Sequence, residues 1–154
     1  MNDSIHDLQH GHYLEDLAVG MKAVFAKTIT EADVLMFAAV SGDTNPLHLN
    51  AEFAEQTRFK KRIVHGMVTA SLWSTLVGTK LPGPGSAYMS QEINFIKPVY
   101  IGDTVTARVT VTGIVAEKQR VFLNAEAFVG ERLVAVGQAK VWVPRRTNIL
   151  PSPD

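Results

Sequence analysis

The sequence predicts an α+β domain, with an antiparallel sheet of about five strands wrapped around one central buried helix. First, Gly66-Met-Val-Thr-Ala-Ser-Leu-Trp-Ser-Thr-Leu-Val-Gly78 has helix length and no charged residue, and a helix without a charged face is expected to be buried all round. Second, after the turn-rich Leu81-Pro-Gly-Pro-Gly85 the hydrophobic period changes to two, the period of strands. Third, 154 residues, 46% of them hydrophobic, suffice for one core and are too few for two ordinary domains. In so short a chain, a whole helix is buried by wrapping a curved sheet around it. One domain over 1–154 is the expectation.

The opening segment is polar, and His6, His10 and His12 lack acidic or cysteine partners at ligand spacing. Residues 1–12 and 147–154 are therefore expected to be flexible, solvated tails. Met21 to Thr30 alternates as a first strand. Thr30 is placed to cap a helix whose first turn holds Glu31 and Asp33, and Val34, Phe37 and Ala38 recur at helical spacing until Gly42 ends it. Asn45-Pro46 then forces a bend, because the residue before a proline is pushed out of the helical region. Asn50 can cap a short helix from Ala51 to about Gln56. The four cations of Arg58-Phe-Lys-Lys-Arg62 either meet the phosphates of a nucleotide such as coenzyme A or form a solvated loop, the reading preferred here. Beyond the buried helix, strands are expected over Ala87–Ile96, 104–112, Val121–Val129 and Leu133–Val143, with turns at Gly102-Asp103 and Gly130-Glu131. These four form a meander that the first strand joins as a fifth.

Composition narrows the function. Lys+Arg and Asp+Glu balance at 15 each, so nothing in the overall charge calls for nucleic acid or an anionic membrane as partner. No cysteine is present, which removes disulfides, thiolate catalysis and cysteine metal sites. The N-terminus lacks the layout of a signal peptide and no run is long enough to span a bilayer, so a cytoplasmic enzyme is expected.

Asp43 and His48 are the candidate catalytic pair. An aspartate can hold and orient a water, a histidine can exchange a proton with it near neutral pH, and the bend between them can aim both at one point. Read locally, the same residues also describe a helix stop and an Asx-turn with a packing histidine. Gly66 opens the uncharged helix, whose first N–H groups lack internal partners and carry partial positive charge. It is thus either a site for a developing oxyanion or a simple hinge.

Further residues separate these readings. Ser41-Gly-Asp-Thr-Asn-Pro-Leu-His48, preceded by Phe37 and followed by Ile63-Val-His-Gly-Met67, resembles the signature of the MaoC-like (R)-specific enoyl-CoA hydratases, which have the hot-dog fold. Ala70-Ser-Leu-Trp-Ser74, Leu81-Pro-Gly-Pro-Gly-Ser86 and Phe95-Ile-Lys-Pro-Val-Tyr-Ile-Gly-Asp103 are similar to later segments of that family, in its order. The resemblance implies that Asp43 and His48 activate water for addition to a trans-2-enoyl-CoA. It implies that the Gly66 N–H holds the thioester oxygen and that Ser74 supports the site, with no metal or redox cofactor. Asn45 is expected to fix the bend, and His65 to be structural. Val77, at i+3 from Ser74, is expected to line a short acyl pocket with Trp73 and Leu76. An acyl-CoA substrate and a homodimer, formed by joining sheet edges, complete the expectation. A hot-dog thioesterase and a non-catalytic acyl-binding subunit are the alternatives.

Overall fold

A computed structural model describes residues 5–148. A short helix α1 (Ile5–Gln9) leads through a 3-10 turn to strand β1 (Lys22–Thr28). Helices α2 (Glu31–Ser41), α3 (Pro46–Leu49), α4 (Ala51–Glu55) and α5 (Gly66–Thr79) follow, then strands β2 (Ala87–Phe95), β3 (Thr104–Val115), β4 (Arg120–Val129) and β5 (Arg132–Trp142). The five strands form one antiparallel sheet in the order β1-β3-β4-β5-β2. The α+β class and the helix-in-sheet architecture are as the sequence predicts. The simple meander is not: β2 skips β3 and pairs with β5, in a register that includes Ile93 opposite Gly137. Period-two alternation fixes which face a residue takes and carries no information about which strand lies alongside.

The alternation does place the core. Val105, Ala107, Val109 and Val111 of β3 and Val121, Leu123, Ala125 and Ala127 of β4 are all buried, and α5 presses Val68, Leu72, Trp73, Leu76 and Val77 against that face. Trp73 satisfies its indole N–H by donating to the Glu126 carbonyl at 3.0 Å, which locks α5 to β4. One face of α5 stays open, however: Met67, Ser71, Ser74 and Gly78 are exposed. The expectation of burial on all sides is corrected here. Beyond Met67 at i, serine and glycine at i+4, i+7 and i+11 make an uncharged strip that is only weakly apolar, so it needs no cover within one chain.

The tail expected through residue 12 also differs. Gly11 and His12 donate their main-chain N–H groups to the carbonyls of Pro84 and Pro82, both at 2.8 Å. A side chain on Gly11 would lie 2.5 Å from the Pro82 oxygen, so glycine permits this approach. Tyr13, Leu14 and Leu17 then enter the interior. Polarity in the sequence concealed a strap that spends its polar groups on a proline-rich loop. The side chain of His6 and residues 149–154 lie outside the described residues.

Candidate active site

α2 delivers the chain to the site. Thr30 and Asp33 form a capping box at its start, and Gly42, at φ 77°, ends it in the left-handed conformation while donating to the Ala38 carbonyl at 2.9 Å. The bend that follows is built from nested polar contacts. Ser41 Oγ donates to the Phe37 carbonyl at 2.6 Å and accepts from the Asp43 N–H at 3.1 Å. Asp43 Oδ1 accepts from the Asn45 N–H at 3.2 Å, and Asn45 Oδ1 from the Leu47 N–H at 3.0 Å. Pro46 occupies the first turn of α3, where its missing N–H costs nothing. Asn45 therefore fixes the bend and caps α3. The Asx-turn and the aimed aspartate are one structure.

His48 is buried, and its Nδ1–H donates to the Ile63 carbonyl at 2.8 Å. A carbonyl only accepts, so Nδ1 carries a proton, and in the neutral imidazole Nε2 holds the lone pair. His65 is still more buried, at 1% exposure, and donates from Nε2 to the main-chain carbonyl of Asp43 at 3.0 Å. Among the described residues its Nδ1 has no hydrogen-bond partner. The two imidazoles lie against each other, centroids 3.9 Å apart and tilted by 32°, with Phe37 packed on His65 at 4.8 Å. The sequence reading of His65 as structural fits these contacts, since it buttresses both members of the pair. No spacing signal would have found the Ile63 carbonyl, because every residue carries one.

Asp43, His48 and His65 each bring one ligand-type atom within 4.8 Å of the others. Each member of this set already spends one polar atom within the protein: Asp43 Oδ1 accepts from the Asn45 N–H, and each imidazole has one nitrogen on a main-chain carbonyl. As an acid–base site it fits well: a solvent-facing carboxylate stands beside a histidine of fixed tautomer.

His48 and Gly66 line one cleft of about 290 Å³, together with Met67, Thr69, Phe95 and Lys97. Gly66 is the first residue of α5, so its N–H has no acceptor within the helix. A Cβ at this position would lie 2.7 Å from the Phe95 ring. Any larger residue here would have to displace the tip of that ring. Phe95, exposed at the mouth, was not among the residues expected from sequence.

The remaining candidates are elsewhere. Ser74 lies eight residues beyond Gly66, about 12 Å along the axis at 1.5 Å per residue, on the exposed face of α5. Trp73, Leu76 and Val77 belong to the core between α5 and the sheet, and the cleft is lined by other residues.

A model of the MaoC-like domain matches residues 16–131. Over 135 residues the chain is 50% identical to an (R)-specific enoyl-CoA hydratase of Rhodospirillum rubrum, a match spanning 88% of this chain and 94% of that one. A 3-hydroxybutyryl-CoA dehydratase of Methylorubrum extorquens is 45% identical over 139 residues, or 90% and 88% of the two chains. Among solved structures, an (R)-hydratase from Aeromonas caviae involved in PHA biosynthesis superposes with a TM-score of 0.82 at 46% identity, covering 84% of this chain and 99% of that one. With its sheet wrapped on α5, His48 and Gly66 lining one cleft and the family's domain matched over residues 16–131, this chain belongs to the MaoC-like domain family.

Proposed function

We propose that the protein is a hydro-lyase, an (R)-specific enoyl-CoA hydratase that adds water to trans-2-enoyl-CoA and runs in reverse as a 3-hydroxyacyl-CoA dehydratase. The observation that carries this reading is that His48 and the N-terminus of α5 line one cleft, with an Asp43 carboxylate oxygen within 4.8 Å of a His48 ring nitrogen, in a chain half identical to a hydratase of that name. In the reaction the π bond between C2 and C3 breaks, the water oxygen bonds C3, one water proton passes to the Asp43/His48 pair and a proton is delivered to C2. The open lone pair on His48 Nε2 and the carboxylate of Asp43 suit a shared water. Gly66 N–H suits the thioester oxygen as negative charge develops there. These groups meet the demands of the step between them, so the reading calls for no metal or redox cofactor.

The same reading takes an acyl-CoA thioester as substrate, a homodimer as assembly and the cytoplasm as location. β2 supports the dimer: it is an edge strand with Tyr88, Met89 and Phe95 exposed, and its unpaired edge is one that a second copy would cover. A mass of 16.8 kDa in solution at full activity would overturn it. For the acyl tail we propose a path along the uncharged open face of α5, past Ser74 and beside Val77, with Trp73 and Leu76 behind it. Loss of the ultraviolet absorbance of crotonyl-CoA without release of free thiol tests the activity. Thiol release would instead favour thioester hydrolysis.

A further inference from the structure

Arg62 closes the basic stretch that begins at Arg58, yet it does not behave as a free surface cation. Its side chain is only 18% exposed. Nε donates to the main-chain carbonyl of His48 at 2.6 Å, and Nη2 donates to Glu31 Oε1 at 2.8 Å. The two partners belong to different elements, since His48 lies in α3 and Glu31 opens α2.

α3 has only four residues. A single turn does not hold itself in water, and the carbonyls of its last residues, His48 among them, have no acceptor role within the helix. Something outside must fix the backbone that carries the histidine. The next residue, Ile63, takes the ring proton of the same histidine through its carbonyl, so consecutive residues grip His48 at the main chain and at the side chain. A guanidinium presents several donors in a rigid fork, which lets one side chain serve two acceptors at once.

We propose that Arg62 is a positioning residue for His48. Its fork ties the histidine's carbonyl to the first turn of α2, so that the acid–base group is held between α2 and the 62–65 segment and does not drift with a one-turn helix. This removes Arg62 from the set of cations available to a nucleotide phosphate. The kinetic part of the inference rests on the hydratase reading, whereas the structural part does not.

The test compares wild type, Arg62→Met and Arg62→Lys by kcat and KM on crotonyl-CoA and on crotonyl-pantetheine, which lacks the nucleotide. In parallel, the His48 Nδ1–H resonance is followed in ¹⁵N-histidine-labelled protein and identified by its loss in His48→Gln. Expected for Arg62→Met is a fall in kcat of about 10- to 100-fold on both substrates with KM within about 3-fold, because misplacing a reacting group by an ångström costs on that order. The Nδ1–H resonance should shift or broaden as well. Arg62→Lys should recover part of the rate, since an ammonium reaches the carbonyl without the fork. A rise in KM confined to crotonyl-CoA, with kcat and the resonance unchanged, would overturn the proposal and give Arg62 to the nucleotide. Unchanged kinetics and resonance in a folded Arg62→Met would reduce it to a surface ion pair. Should Arg62→Met fail to fold, a folded Arg62→Lys with wild-type kcat and resonance would overturn it equally. If wild type hydrates neither thioester the hydratase reading falls, and the resonance alone still decides whether Arg62 holds His48.

Discussion

The imidazole of His48 donates to the carbonyl of Ile63 at 2.8 Å, and in the proposed reaction this bond leaves Nε2 as the nitrogen that exchanges a proton. With Nδ1 carrying the proton, Nε2 is left to accept from water. Asp43→Asn and His48→Gln should each lower kcat by at least about 10²-fold, as removal of a proton-transfer partner does. The bend lies outside the main core, so circular dichroism should be unchanged. Near-normal turnover in either folded variant would remove that residue from the mechanism.

Gly66 and Phe95 make a second prediction. The Cβ of Gly66→Ala would sit 2.7 Å from the Phe95 ring, which must swing away into the cleft. We expect kcat/KM to fall by about 10- to 100-fold, on the order of losing one oxyanion donor. Adding Phe95→Leu should restore part of the loss. A double variant no better than the single one would show that ring displacement is not the cause.

Val77 carries both a stability and a specificity expectation. It is 2% exposed, so Val77→Ala should cost roughly 2 kcal/mol, about two buried methyl groups. If the acyl tail follows α5 past Ser74, the space opened should also raise kcat/KM for an eight-carbon enoyl-CoA relative to crotonyl-CoA by about 3- to 30-fold. Denaturant unfolding measures the first, and paired kinetics on the two substrates the second. A stability loss with no change in the substrate ratio would leave Val77 as core only.

Asp33 gives a pH dependence. Its carboxyl is held below the ordinary carboxylate range, chiefly by the Thr30 N–H at 2.8 Å, helped by the Thr30 hydroxyl and by Lys27 at 3.2 Å. A lowered folded value means that the stabilisation is present above the ordinary range and is lost as pH falls through the folded value. Asp33→Asn should therefore be less stable than wild type near neutrality, by up to about 1 kcal/mol for a cap of this kind. The gap should close on acidification, and a gap independent of pH would contradict the charge argument.

Much of this was legible in the chain, and the illegible parts share a cause. Thr30, Gly42, Asn45 and Asn50 act locally, each bonding a group two to four residues away, so the helix ends could be read from sequence. Valines alternating in β3 gave the core face. The β2–β5 pairing, the grip of Arg62 and Ile63 on His48, and the docking of Gly11 on Pro82 and Pro84 depend on groups far apart in sequence, several of them main-chain carbonyls with no residue signature. The open face of α5 was missed for another reason: absence of charge was equated with hydrophobicity, and Ser71, Ser74 and Gly78 are neither charged nor strongly apolar.

In the proposed reaction Asp43 and His48 deliver water to one face of an enoyl thioester bound at Gly66. The most direct measurement is chiral analysis of the product formed from crotonyl-CoA by wild type, run beside Asp43→Asn and His48→Gln at equal protein concentration. Wild type should form (R)-3-hydroxybutyryl-CoA and each variant should work at a rate at least about 10²-fold lower, as this mechanism requires. An (S) or racemic product, free coenzyme A in place of a hydrated thioester, or the same rate from all three proteins would contradict it.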